Sequence, residues 1–185
     1  MSLWLVIAPM TANGGSYKPL EPGPDLAYLG FSFVDLSTEG AYNGVRADET
    51  GRLRMLEETL RERFAQEGYT VLSNDPIAAK LATVSNPARC YDCEIRLADR
   101  LGARYVVVGE VRKVSNLVLS ISLVMRDVET GDRVRALAVD IRGNTDQSWL
   151  RGMDYILKNH FFSNSEESAR RSHCPPGSGC TCSAG

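Results

Sequence analysis

The hydrophobic positions of the chain change their period several times, and each change marks an element. Leu26 to Leu36 (LAYLGFSFVDL) is dense in aromatic and β-branched residues and predicts a first strand. From Asp48 to Gln66 the apolar residues Leu53, Leu56, Leu60 and Phe64 recur at helical spacing, which gathers them into one buried stripe. Asp48 can cap that helix, the pairs Asp48–Arg52 and Glu57–Arg61 stand at the favourable i,i+4 spacing, and Gly68 ends it. Tyr69 to Leu72 then reads as a short strand and Pro76 to Leu81 as a short helix, with Asn86-Pro87 as a breaker. A longer helix starts at Cys90 or Tyr91 and runs to Leu101, with Gly102 as its stop.

Beyond Gly102 the period becomes two. Tyr105 to Val111 is a strand, and Ser115-Asn116 turns the chain into a second strand from Leu117 to Val128. There Leu117, Leu119, Ile121, Leu123 and Met125 alternate on one face, as in a half-buried antiparallel strand. Glu129-Thr130-Gly131-Asp132 is a hairpin turn, and Arg133 to Arg142 returns with Leu137, Val139 and Ile141 on one face. Asn144 or Thr145 caps a last helix on which Trp149, Met153 and Ile156 share a side. This order predicts an α/β fold, an α+β type sandwich with helices packed on a mixed sheet that ends in an antiparallel three-stranded meander.

Composition narrows the picture. The chain has 185 residues, 43% of them hydrophobic, and a formal net charge of -2, which suits one domain with a real core rather than a disordered chain. Lys and Arg are outnumbered by Asp and Glu, 21 to 23, so the basic surplus of a nucleic-acid binder is missing. No apolar run reaches the roughly 18–20 residues of a transmembrane helix. The folded domain is expected at 25–160, between a 1–24 segment and a 161–185 tail. In the first segment, Leu3 to Ala8 is apolar, no basic residue precedes Lys18, and Gly14-Gly15, Pro19, Pro22 and Pro24 follow. It reads as the remainder of a signal peptide and a linker, against the alternative of a first strand in a cytosolic domain. The tail reads as disordered, being polar and without apolar period from Ser163 to Ser172.

Candidate chemistry centres on the five cysteines. Cys90-Tyr91-Asp92-Cys93 at a helix start is open to four readings: a structural disulfide, a thiol–disulfide exchange site activated by the helix dipole, two ligands of a zinc site, or free thiols. The exchange reading needs a strand running into the first cysteine, and Val84 to Arg89 looks like a loop instead. His173, Cys174, Cys180 and Cys182 form a soft donor set that could handle zinc or copper(I), although a disordered tail is the plainer reading. The motifs of nucleotide binding, serine hydrolysis and zinc proteolysis are missing. Asp35, Asp48, Glu49 and Glu110 lie near strand ends or the first long helix, where acids generally cap and solvate. One polar string is a candidate recognition edge: Lys113, Ser115 and Asn116 at a hairpin end, with Asp140, Arg142, Asn144 and Asp146 between the last strand and helix. Its plainer reading is strand exit, cap and a Trp149 anchor.

The stretch Ala98 to Val111, with Leu101-Gly102-Ala103, a hydrophobic strand and Gly109-Glu110, is followed by Asp127-Val128-Glu129-Thr130-Gly131. This pattern resembles the amino-terminal domain of TolB, and also the curli-secretion lipoprotein and the lipoprotein activators of cell-wall synthases. The resemblance implies a module that binds proteins or copies of itself and carries no catalytic residues. Over about Leu29 to Phe161 the chain is similar to an uncharacterised family of exported bacterial proteins, a domain of unknown function. The similarity rests on Phe33 to Gly40, Arg46 to Glu49, Cys90 to Cys93, Lys113 to Leu117 and Asp140 to Asp146. Some members lie beside genes of periplasmic quinoprotein alcohol oxidation, which implies an accessory role there. The reading that follows is a non-enzymatic periplasmic module that binds an envelope protein, with Cys90–Cys93 as a disulfide. It needs no cofactor, binds no nucleic acid, has no transmembrane segment, and leaves a homo-oligomer open. A thiol–disulfide oxidoreductase through Cys90 and Cys93, or a metal handler using the tail, are the alternatives.

Overall fold

A computed structural model describes residue 20 and residues 23–162 of the chain. The remnant signal read in 1–24 and the tail donors His173, Cys174, Cys180 and Cys182 lie outside these residues, Leu20, Gly23 and Pro24 excepted.

Among the described residues, five strands form one mixed sheet in the order β2-β1-β3-β4-β5. They are β1 (Asp25–Asp35), β2 (Thr70–Val71), β3 (Tyr105–Ser115), β4 (Val118–Asp127) and β5 (Arg133–Arg142). β1 runs parallel to β2 and β3, and β3-β4-β5 is the antiparallel meander that the alternating residues predict. The helices are α1 (Thr38–Asn43), α2 (Ala47–Gln66), α3 (Ala78–Leu81), α4 (Cys93–Arg100) and α5 (Asp146–Ile156), the last continued by a π-helical turn, Leu157–Phe161.

One sheet face carries the main core. Leu56, Leu60 and Phe64 of α2 and Trp149, Met153 and Ile156 of α5 pack on Leu119, Ile121, Leu123 and Met125 of β4 and on Val107 and Val111 of β3. The opposite face is covered only in part: Ile77, Leu97 and Ala98 close over Ala27 and Leu29 of β1 and Val106 and Val108 of β3. Helices thus pack on both sides of a mixed sheet.

Two glycines set the inward face of β1. The β1–β3 register shifts between Tyr28 and Phe31, and Gly30 sits there at φ +97°, a conformation that residues with a Cβ rarely adopt. The extra residue keeps Leu26 and Tyr28 inward before it, and Phe31, Phe33 and Asp35 inward after it. Phe31 lies across Gly109 of β3, where an added Cβ would meet its ring at 2.1 Å.

The structure corrects several local expectations. Between the first strand and the first long helix, where Gly40 and Gly44 read as a loop, the chain forms α1, because Ser37 Oγ accepts the Gly40 N–H at 3.1 Å and caps a short helical turn. α2 starts at Ala47, so Asp48 lies inside its first turn and does not cap it. Leu117 is not in the inward row of β4; it is 73% exposed at the hairpin tip, one residue before the strand. Cys90 does not cap α4: a 3-10 turn, Pro87–Arg89, ends at Cys90, and Asp92 is the residue before the helix.

Candidate functional site

Four segments remote in sequence converge where β1 and β3 end. Asp35 closes β1, Glu39 lies in α1, Glu49 in the first turn of α2, and Lys113 near the end of β3. Lys113 faces inward in register with Leu119 and Asp35, so its ammonium lies under α2 with no exposed side-chain surface. It donates to Glu49 Oε1 at 2.7 Å and stands 3.3 Å from Asp35 Oδ2 and 3.4 Å from Glu39 Oε2. Burial alone would depress this ammonium, but the hydrogen bonds to Glu49 and Asp35 and the charges of both carboxylates outweigh it. The pKa therefore lies above the ordinary lysine value. Burial likewise pushes Asp35 up, and it is overcome by the Ser37 hydroxyl (2.5 Å) and N–H (2.8 Å) and by Lys113, leaving its carboxyl below the usual value.

A polar shell extends the cluster. Asn144 Nδ2 donates to Glu49 Oε1 at 2.8 Å, while its Oδ1 accepts from Trp149 Nε1 at 2.9 Å and from Arg52 at 3.2 Å. Asn116 Nδ2 donates to Glu39 Oε2 at 2.6 Å. Arg52 pairs with Asp146 at 2.8 Å and Asp48 at 3.0 Å, and Arg46 with Asp48 at 2.9 Å and Glu39 at 3.1 Å. Hydrogen bonding from Arg46 holds Asp48 down at about 2. The expected recognition edge therefore divides. Lys113, Asn116, Asn144 and Asp146 enter this network, and the first of them is wholly buried. Ser115 only accepts the Leu117 N–H within the hairpin turn, at 3.2 Å, while Asp140 and Arg142 lie exposed on β5, outside the network.

The network ties together segments that carry many of the exposed apolar side chains. Leu36, Tyr42, Val45, Val114 and Leu117 are five of the seven large hydrophobic residues found exposed among the described residues, and Tyr42 is 85% exposed. Their segments are joined by the Leu36 N–H to Lys113 carbonyl bond (2.8 Å), by Asn116 to Glu39, and by Arg46 to Glu39. Clustered apolar exposure bordered by polar groups is a feature of binding surfaces. Patterning alone passes over Asp35 and Glu49 as ordinary capping acids and does not single out Glu39. The available signal was the inward row Phe31, Phe33, Asp35, read through the shift at Gly30.

The cysteine motif lies elsewhere, beside the start of β3. Cys90 and Cys93 are joined as a disulfide with Cα atoms 5.4 Å apart. Tyr91 and Asp92 between them have positive φ (50° and 64°), and the Tyr91 side chain is 94% exposed. Arg126 of β4, whose register partner is Val106, reaches Asp92 at 2.5 Å and Glu94 at 2.6 Å and donates to the Gly131 carbonyl, pinning the loop to the β4–β5 hairpin. Cys90, Cys93 and Glu94 place donor atoms within 4.8 Å of one another. The sulfurs are bonded to each other and Glu94 already holds a guanidinium, so this arrangement does not suit a cation. Glu110 sits on the opposite sheet face from Lys113, accepting from Asn86 and Arg89 and paired with Arg112.

Comparison with known proteins gives one family match. The family described as protein of unknown function (DUF2380) matches residues 24–161. No curated protein matches the chain. Among solved structures, it is similar to the LpoB C-terminal domain from Salmonella enterica, with 19% identity, a TM-score of 0.46, and 71% of this chain and 87% of that one covered. It is similar to lipoprotein GNA1162 from Neisseria meningitidis at 15% identity and a TM-score of 0.48, covering 82% and 99% of the two chains. TolB from Acinetobacter baumannii matches at 14% identity and a TM-score of 0.40, over 75% of this chain and 29% of that one.

Proposed function

We propose that the chain, which belongs to the family described as protein of unknown function (DUF2380), is a non-enzymatic accessory module of the bacterial cell envelope that docks a protein partner on the face around Lys113. The observation that carries this reading is the concentration of exposed Leu36, Tyr42, Val45, Val114 and Leu117 on segments held by one buried ion cluster. The cluster holds these segments in place before any partner arrives, which lowers the ordering cost of binding. Five carboxylates against three cations leave its surroundings net acidic, so the fitting partner offers apolar anchors bordered by Lys or Arg.

A periplasmic location is supported by the export-like reading of the first segment and by the Cys90–Cys93 disulfide, which is at home in an oxidising compartment. The finer form of the proposal, an accessory to periplasmic quinoprotein alcohol oxidation, rests on the family resemblance alone. A photo-crosslinker at Leu117, and another at Arg96 on the exposed side of α4, test the docking face in the native host. A single adduct obtained from Leu117 alone, and lost in Tyr42→Glu, is the expected result. Equal adducts from both positions, or none, overturn it.

A further inference from the structure

β5 forms one border of the sheet: among the described residues no strand pairs with its outer edge. Along its second half a groove of about 490 Å³ runs between that edge and α5, with Val139, Asp140, Ile141 and Arg142 on the strand side and Arg151 and Tyr155 on the helix side. Gly152 brings the helix close, since a Cβ there would meet Ile141 Cγ2 at 2.7 Å. Tyr155 leaves half of its side chain exposed, so the helix side offers an aromatic wall. An unpaired strand beside a helix-walled groove is the geometry in which an extended segment adds as a further strand, its main chain bonding to the edge.

Charge selects the occupant. Arg142 and Arg151 are exposed, and among the described residues neither has a carboxylate partner. Of the exposed residues of β5, Arg133 and Arg142 are cationic and Asp140 alone is acidic. A second copy pairing edge to edge would bring two cationic strands together, which is unfavourable. We infer that the β5–α5 groove binds an extended acidic segment of another protein by strand addition. Residues opposite Val139 and Ile141 lie on the α5 side of the sheet and are apolar; the residue opposite Arg142 carries a carboxylate, and the residue opposite Asp140 does not. This site is separate in mechanism from the apolar face around Lys113 and does not depend on it.

The full chain is titrated with two blocked heptapeptides, Glu-Val-Thr-Val-Thr-Val-Glu and its counterpart with lysine at both ends, while amide hydrogen exchange is followed residue by residue. The acidic peptide is expected to slow exchange at alternate β5 amides between Leu137 and Arg142 at least tenfold, and the lysine peptide is not. In the double variant R142E/R151E, both changes being at exposed positions, the preference reverses. Absence of protection by either peptide, or equal protection that ignores the charge reversal, overturns the inference. So does protection of these amides without peptide: independent of concentration it marks a segment of this chain as the occupant, and growing with concentration it marks a second copy. Tyr42→Glu leaves peptide binding unchanged, so failure here is distinguishable from failure of the docking face.

Discussion

Lys113 and Glu49, 64 residues apart in the chain, meet at 2.7 Å with neither side chain exposed. A buried pair of this kind adds little over a well-packed apolar pair, yet removing one partner strands the other charge away from water. Lys113→Ala leaves Glu49 and Asp35 uncompensated and is expected to cost about 3–5 kcal/mol in chemical denaturation. Combining it with Glu49→Gln recovers part of the loss, a coupling of about 0.5–3 kcal/mol. Additive losses would mean that the pair does not act as a unit.

Acid sensitivity should follow from the same end of the molecule. Asp35 and Asp48 are both held below their ordinary values, Asp48 at about 2. A depressed carboxyl contributes stability above its unfolded value, and that contribution is lost as pH falls through the folded one. Stability is therefore expected to fall as pH drops from about 4 towards 2, and to fall less steeply in Asp48→Asn. Lys113 is raised instead, so its contribution is full at neutral pH and fades only above the ordinary lysine range. Thermal unfolding followed by circular dichroism between pH 2 and 8 reads the acid slope in the parent and in Asp48→Asn, with no loss expected from Lys113 in that range.

The Phe31–Gly109 crossing makes a sharp packing prediction. Gly109→Ala places a methyl group 2.1 Å from the Phe31 ring in the middle of the β1–β3 pairing. Overpacking of this kind costs about 1–3 kcal/mol. Phe31→Leu in the same chain makes room and should return part of the loss; a Gly109→Ala protein with unchanged denaturation midpoint would contradict the crossing.

The Cys90–Cys93 link closes a short loop across a sequence separation of three. We propose that it is structural. Chain-entropy reasoning gives about 2 kcal/mol for so short a loop, which Cys90→Ser with Cys93→Ser should lose. A structural bond should also show a reduction potential below about -300 mV, whereas a value near those of exchange catalysts would favour the oxidoreductase reading.

Arg126 ties the same loop to the β4–β5 hairpin through Asp92, Glu94 and the Gly131 carbonyl. Arg126→Ala is expected to speed amide exchange in 90–94 and 129–132 together, because one guanidinium holds both. Independent behaviour of the two segments would remove this role.

Much of the fold was legible because local periodicity reports burial directly. The meander showed itself in Leu119, Ile121, Leu123 and Met125, and α2 in Leu56, Leu60 and Phe64, since each row has a single face to hide. Leu117 continued the same alternation and misled, because a hairpin tip ends a strand by geometry that composition does not mark. Part of the candidate site was legible too: Lys113, Asn116, Asn144 and Asp146 stood out as a polar string. Their division into a buried lysine and residues that bond to its counter-charges or to Arg52 was not.

Apart from α1 and the place of Leu117, the sequence by itself determined the element order, the mixed sheet and the inward rows, because these follow from spacing within single segments. Tertiary structure decided what the charged residues do. Whether Asp35, Glu39 and Glu49 are solvated caps or the counter-charges of one buried ammonium depends on contacts across more than sixty residues, and no periodicity encodes them. Such contacts exist only after β1, with its shift at Gly30, has been laid beside β3. The same holds for the groove at β5: an unpaired edge is a property of the assembled sheet and of no residue within it.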